Sequence, residues 1–240
     1  METEAEIVLL VNTDSETVIL DKNADKRTAP ASLTKIVTCM LVLENCPDLS
    51  TKITCKKETI AGLAERNAVT VGILAGETLT IKDLLYCMML PSAADATNIL
   101  ADYVGGGIDN FVVMMNEFVS DLGCKSTNFV NPHGLDAPGH YSTAEDLAVL
   151  GAYAMENPIF AQTVSTKSVR IGNRSLTNHN RAGADNQNLL NIRTLCHFTN
   201  PPVSLFVNNI AVTNRKHTFT LQFPAFKGCC FALREEIFRI

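Results

Sequence analysis

Ser32 and Lys35, in the stretch Ala29-Pro30-Ala31-Ser32-Leu33-Thr34-Lys35-Ile36-Val37, place a hydroxyl and an amine three residues apart. Apolar residues at Leu33, Ile36, Val37, Met40 and Leu41 keep the i, i+3, i+4, i+7, i+8 rhythm of an amphipathic helix, and the spacing predicts a helix that begins near Ser32, just past Pro30. Residues three apart share a helix face, so the amine can reach the hydroxyl on the polar side while the apolar stripe is buried. This is the layout of a serine acyl-transfer site. A serine hydroxyl is a weak nucleophile until a base takes its proton, and lysine at its ordinary pKa of about 10.4 is not that base at neutral pH. Burial and the positive pole of the helix both favour the neutral amine. The same pole and the first-turn N–H groups would stabilise an oxyanion at Ser32. The spacing alone equally suits an N-capping serine beside a solvated lysine.

The elements that must position these groups follow from periodicity and breakers. Ile7 to Val11 and Thr17 to Leu20 read as a hairpin around Asn12-Thr13-Asp14-Ser15-Glu16. Residues 48 to 79 read as loop and short strand pieces broken at Gly62, Gly72 and Gly76. Thr80 then caps a helix whose buried face is Ile81, Leu84, Leu85, Met88 and Met89, and Pro91 ends it. Ser92 directly follows, where a hydroxyl can project into a cleft; its other role would be to cap the next helix, with Asp95 at N3. That helix runs from about Ala93 to Val104 and stops at Gly105-Gly106-Gly107, a cap and turn without the flanking residues that cradle phosphate. Another spans about Asn110 to Leu122. Ser142 and Glu145 form a capping box for a helix to about Met155, with Pro158 just beyond. His133 and His140 invite a metal or general-base reading, yet their Pro/Gly-rich loop offers no third ligand. Glu65, Glu145 and Asp146 read as capping or solvated charges.

The run Asp21 to Thr38 around the Ser32–Lys35 pair resembles the nucleophile segment of the D-alanyl-D-alanine carboxypeptidases, the low-molecular-weight penicillin-binding proteins. Leu90-Pro91-Ser92-Ala93-Ala94-Asp95-Ala96 resembles their second box. Asn131-Pro132-His133-Gly134-Leu135-Asp136 with His140 to Ala148 resembles their next recurring stretch, and Thr177-Asn178-His179-Asn180-Arg181 the approach to their third. The resemblance covers about residues 6 to 181, and four matches in order are far more specific than any one. It implies an α+β fold of the β-lactamase/penicillin-binding-protein type, as one transpeptidase-like domain over 1–240. An antiparallel sheet would come from about 1–50 and 160–240, and a helical region from about 51–159. It implies Ser32 as nucleophile, Lys35 as its base and Ser92 as proton relay to the leaving amine, acting on peptidoglycan stem peptides that end in D-Ala-D-Ala. It further implies β-lactam antibiotics as inhibitors, no metal or organic cofactor, and a place in the cell envelope outside the cytoplasm.

The sequence departs from the family in two places. Ala94 stands where the second box normally has an Asn that helps hold the lysine and the substrate amide. The third box, Lys-Thr/Ser-Gly, is not found after Arg181: Arg193-Thr194-Leu195 lacks the glycine that lets substrate backbone approach, and Lys227-Gly228 lacks the hydroxyl residue. Residues 182–240 diverge from the family, although Val203 to Val207 and Phe219 to Phe223 keep strand-like character; a reading-frame change or local divergence near 182 would produce this pattern. Substrate-binding residues stay unassigned. Two alternatives therefore stand beside the carboxypeptidase: an inactive or truncated remnant acting at most as a binding module, and a β-lactamase, for which no dedicated deacylation base is visible.

Composition is compatible with such an enzyme. A chain of 240 residues, 46% hydrophobic, can bury a full core. The net charge of −5, without any Lys/Arg-rich run and with 6% aromatic residues, excludes the electrostatic footprint of a nucleic-acid binder. Neither a signal peptide nor a transmembrane stretch is legible. The 8 cysteines contain no CxxC, and Cys39, Cys87 and Cys124 lie in apolar helical patterns, so mostly reduced, buried thiols are expected.

Overall fold

The computed structural model describes residues 5–12 and 17–179, together with the backbone of two strands at 189–191 and 203–208. Residues Ile7–Asn12 (β1) and Thr17–Lys22 (β2) form the expected antiparallel hairpin, with a register irregularity at Leu10/Val11. β1 is rich in β-branched and leucine residues and buries Ile7, Val8, Leu9 and Val11, as suits a strand covered on both faces. It is an inner strand: Val203–Asn208 (β8) pairs on its other edge, and Leu189–Asn191 (β7) pairs with β8, in the order β2-β1-β8-β7. β1–β2 and β7–β8 are antiparallel, as expected, whereas β8 runs parallel to β1. The strand-like reading of Val203 to Val207 corresponds to β8. The readings at Arg193-Thr194-Leu195, Phe219 to Phe223 and Lys227-Gly228 fall outside the described residues.

The helix predicted near Ser32 begins as a 3-10 turn, Ala31–Leu33, and becomes α-helical at Thr34–Asn45 (α1). Every residue from Thr34 to Val42 is buried. The expected amphipathic helix, with a buried apolar stripe and a polar side that carries Lys35, is thus covered on both sides from Thr34 to Val42. Its apolar side meets Ala94–Gly105 (α4), Ile108–Asp121 (α5) and Ala144–Glu156 (α6), while a loop covers Thr34, Lys35 and Thr38. Between α1 and α4 lie Lys52–Thr54 (β3), the short helix Lys57–Ile60 (α2), Thr78–Thr80 (β4) and Ile81–Met89 (α3). Thr80 caps α3 as expected, in a reciprocal capping box with Asp83.

Two caps differ from the sequence reading. Thr143, one residue later than expected, caps α6 by accepting from the Asp146 N–H, because Ser142 is held in backbone pairing with Thr28 and its hydroxyl bonds Thr127. Pro158 does not merely follow a helix; it is the first residue of Pro158–Ser165 (α7), where its missing N–H costs nothing, and Asn157 caps that helix. Ser168–Ile171 (β5) and Arg174–Thr177 (β6) then form a small hairpin.

One buried carboxylate fixes the long connection between β3 and α3. Asp95, 2% exposed, accepts from the backbone N–H groups of Val71 and Ile73, so it does not serve a cap at Ser92. Arg174 grips the same segment from outside, donating to the Val71 and Gly72 carbonyls and pairing with Glu77. Replacing Asp95 by Ala leaves two inward N–H groups without acceptors, a cost of roughly 3 kcal/mol. The thermal midpoint of Asp95→Ala, followed by circular dichroism, should therefore drop by several degrees; an unchanged midpoint contradicts this role.

Candidate active site

Ser32 sits on the 3-10 turn and not in the α-helix itself, and the residue before it, Ala31, has φ +46°. The Leu33 and Thr34 N–H groups are spent within this turn, on the Pro30 carbonyl and on those of Ala31 and Ser32. They are not free oxyanion donors, in contrast to the expectation from the helix start. Ser92 has φ +67°, a left-handed conformation that a serine holds only where its surroundings enforce it. It caps nothing: the N-cap of α4 is Ala93, without a side-chain bond.

These two strained positions bring the predicted residues together. The Ser92 hydroxyl donates to Ser32 Oγ across 2.9 Å, and Lys35 Nζ stands 3.3 Å from the same oxygen. Lys35 is 3% exposed and donates to the His133 carbonyl at 2.6 Å. One turn on, Thr38 donates to the Pro132 carbonyl at 2.7 Å. Two polar residues on successive turns of α1 thereby dock the loop 131–135, which is stiffened from within: Asn131 accepts from the Gly134 N–H and donates to the Leu135 carbonyl. Gly134 has φ +86°, and a Cβ there would lie 1.9 Å from the Ala31 carbonyl oxygen and 3.0 Å from the Ser32 nitrogen. Only glycine permits backbone to press so closely behind the nucleophile.

His133 and His140 are brought in by that loop as structural groups. His140 accepts from the Val130 N–H at Nδ1, which leaves its Nε2 proton to donate to Thr34 Oγ1. His133 accepts from the Leu135 N–H at Nδ1. Burial is the main cause that lowers the His133 pKa to about 3 and that of His140 to about 4. Asp146 accepts from Ser126 and Thr127, and burial raises its pKa. Glu145 lies in the first turn of α6, and Glu65 is exposed. Among the described residues no group of three His, Cys, Asp or Glu side chains could hold a metal ion, and Cys39, Cys46, Cys55, Cys87 and Cys124 are free, buried thiols. Desolvation pushes Cys39 and Cys87 up to about 12, which removes them from nucleophilic chemistry.

Ser32, Lys35 and Ser92 lie together in a cleft of about 670 Å³, large enough for a peptide end. One wall is His133 to Pro138; the other is Arg66 to Val69 with Ala94. Arg66 and Asn67 were not singled out from sequence. Only the turn between Gly62 and Gly72 hinted at them, and a loop's inward face has no periodicity to read. Ala94, where the family has Asn, presents a methyl group.

Comparison with known proteins gives one consistent answer. The family profile described as D-alanyl-D-alanine carboxypeptidase matches residues 1–200, past the point where the resemblance is legible by eye. The chain is 35% identical over 147 residues to the D-alanyl-D-alanine carboxypeptidase DacF of Bacillus subtilis, covering 61% of this chain and 38% of that protein. It is 38% identical over 170 residues to DacD of Escherichia coli, covering 67% and 43%. The chain thus spans less than half the length of either relative. The crystal structure of the Streptomyces K15 DD-transpeptidase superposes with a TM-score of 0.72 at 28% identity, covering 79% of both chains. Penicillin-binding protein 5 of Haemophilus influenzae gives 0.69 at 28% identity, covering 77% of this chain and 56% of that one.

The two imidazoles carry a stability prediction. Their folded pKa values lie below the unfolded value of about 6.5, so between that pH and about 4 the unfolded chain binds protons that the folded chain refuses. Their contribution is fully present above pH 7 and is lost as pH falls through this window. The unfolding free energy from urea titrations should fall from pH 7 to pH 4.5, and His140→Gln should flatten the slope by up to about one proton. A slope indifferent to His140 contradicts the assignment.

Proposed function

The chain belongs to the D-alanyl-D-alanine carboxypeptidase family, and on that premise we propose that its cleft removes the terminal D-alanine from peptides ending in D-Ala-D-Ala. The observation that carries the reading is the convergence on Ser32 Oγ of Ser92 Oγ at 2.9 Å and Lys35 Nζ at 3.3 Å, at the floor of an open cleft. Lys35, as the neutral amine, takes the Ser32 proton while Oγ attacks the penultimate carbonyl carbon. The tetrahedral intermediate collapses with cleavage of the C–N bond, and the proton returns through Ser92 to the departing amine of D-alanine. Water then attacks the ester and restores Ser32, with Lys35 again as base.

The burial of Lys35 and its 2.6 Å bond to the His133 carbonyl support this role, since they fix the amine against the hydroxyl. Neutral His133 and His140 are left with the task of shaping the loop. In this reading β-lactams acylate the same serine, the substrate is the peptidoglycan stem peptide, and the site of action is the cell envelope outside the cytoplasm. Among the described residues no helix is long and apolar enough to cross a membrane. The sheet and helical parts act as one transpeptidase-like domain around the cleft, and no metal takes part.

A fluorescent penicillin tests the proposal. The full chain should take up one stable label on Ser32, Ser32→Ala should take up none, and Lys35→Ala should be acylated slower by about 10²–10⁴-fold. Absence of any label overturns the reading in favour of a remnant that only binds, and rapid turnover of the label overturns it in favour of a β-lactamase.

A further inference from the structure

The part of the cleft lining formed by Arg66 to Val69 rests on a backbone turn that is anchored at several points. Asn67 adopts φ +53°, its N–H is bonded to the Ala64 carbonyl, and the Ala68 N–H is bonded to that of Leu63, which closes a tight turn at Arg66-Asn67. The Val69 carbonyl accepts from the Ala94 N–H at 2.7 Å, and this seats the turn on the start of α4, two residues after Ser92. Behind it, Asp95 holds the N–H groups of Val71 and Ile73, and Arg174 holds the carbonyls of Val71 and Gly72. The segment is therefore anchored to α4 and to the β5–β6 hairpin.

Arg66 and Asn67 both line the cleft with Ser32, Lys35 and Ser92. The ion pairs among the described residues engage Lys26, Lys56 and Arg174, and none engages Arg66. Its positive charge still reaches across the cleft, since it helps to lower the pKa of His133. A guanidinium lining the cleft from an anchored turn matches a carboxylate in both charge and fork geometry. The neighbouring amide adds a donor and an acceptor for peptide groups.

We infer that Arg66, with Asn67 beside it, is a specificity residue that holds a carboxylate of the peptide substrate in the cleft. The inference deepens the proposed function and rests on it for the substrate class. Two carboxylates could fill the role: the C-terminal one of D-Ala-D-Ala, or an acidic side chain on the acyl-donor portion.

Equilibrium binding in the Ser32→Ala background separates the sources and removes turnover. Three N-acetylated peptides serve as probes: an acyl-D-Ala-D-Ala whose sole carboxylate is C-terminal, its C-terminal amide bearing one glutamyl side chain, and the same amide with no carboxylate. Adding Arg66→Gln should weaken the first, the second or both by tenfold or more, which identifies the carboxylate held. It should leave the third unchanged, and Arg66→Lys should retain part of the affinity. Equal affinities for all three peptides with and without Arg66, equal weakening of all three, or no binding of any overturns the inference. Fluorescent-penicillin labelling of Arg66→Gln with Ser32 intact reports the nucleophile separately, so failure of the acylation reading is distinguishable from failure of the anchor.

Discussion

The site depends on the close approach of one backbone segment to another. The loop 131–135 lies so near the 3-10 turn that Gly134 has no room for a side chain beside the Ala31 carbonyl, and the His133 carbonyl next to it receives the Lys35 amine. An amine 3% exposed needs such a partner, because a buried donor left unsatisfied costs on the order of 1–3 kcal/mol. The same contact therefore satisfies the amine, holds it beside Ser32 and excludes water from behind it. Thr38 bonded to Pro132 and Thr34 bonded to His140 extend the docking along two turns of α1.

Strain is placed where the hydroxyls must meet. Ala31 and Ser92 both adopt left-handed backbone conformations, each of which costs about 1–3 kcal/mol and persists only because its surroundings enforce it. The enforcement is visible in the packing: Gly134 behind Ala31, and α3 and α4 buried on either side of Ser92. The core formed by α1, α3, α4, α5 and α6 serves as a rigid frame, and the groups that do chemistry stand at its breaks, on a 3-10 turn and an inter-helix corner.

Much of this was legible in the sequence, and what was missed has a physical pattern. The Ser32–Lys35 pair follows from helical spacing, and the hairpin, the Thr80 cap and the glycine-terminated helices follow from local preference. The burial of Lys35 is not local; its cover comes from a loop nearly one hundred residues later, and no periodicity around α1 reports it. Ser92 was expected to project into a cleft, and it does, whereas its alternative role as a cap fails because Asp95 spends its carboxylate on Val71 and Ile73. The cap of α6 moved from Ser142 to Thr143 because a long-range backbone pairing with Thr28 claimed Ser142. Arg66 and Asn67 went unnoticed because a turn residue's direction is set by what anchors the turn. Local rules thus located the elements, and the contacts between distant segments decided which side chains face the cleft.

The most direct test of this account is the rate at which fluorescent penicillin acylates Gly134→Ala, with folding monitored by circular dichroism. A Cβ placed 1.9 Å from the Ala31 carbonyl must displace the loop or the turn, and a displacement of about 1 Å in a reacting pair costs on the order of 10²-fold in rate. A folded variant acylated at about one hundredth of the parent rate or less is the result predicted. A folded variant acylated at the parent rate would show that the close approach does not position Ser32 and Lys35.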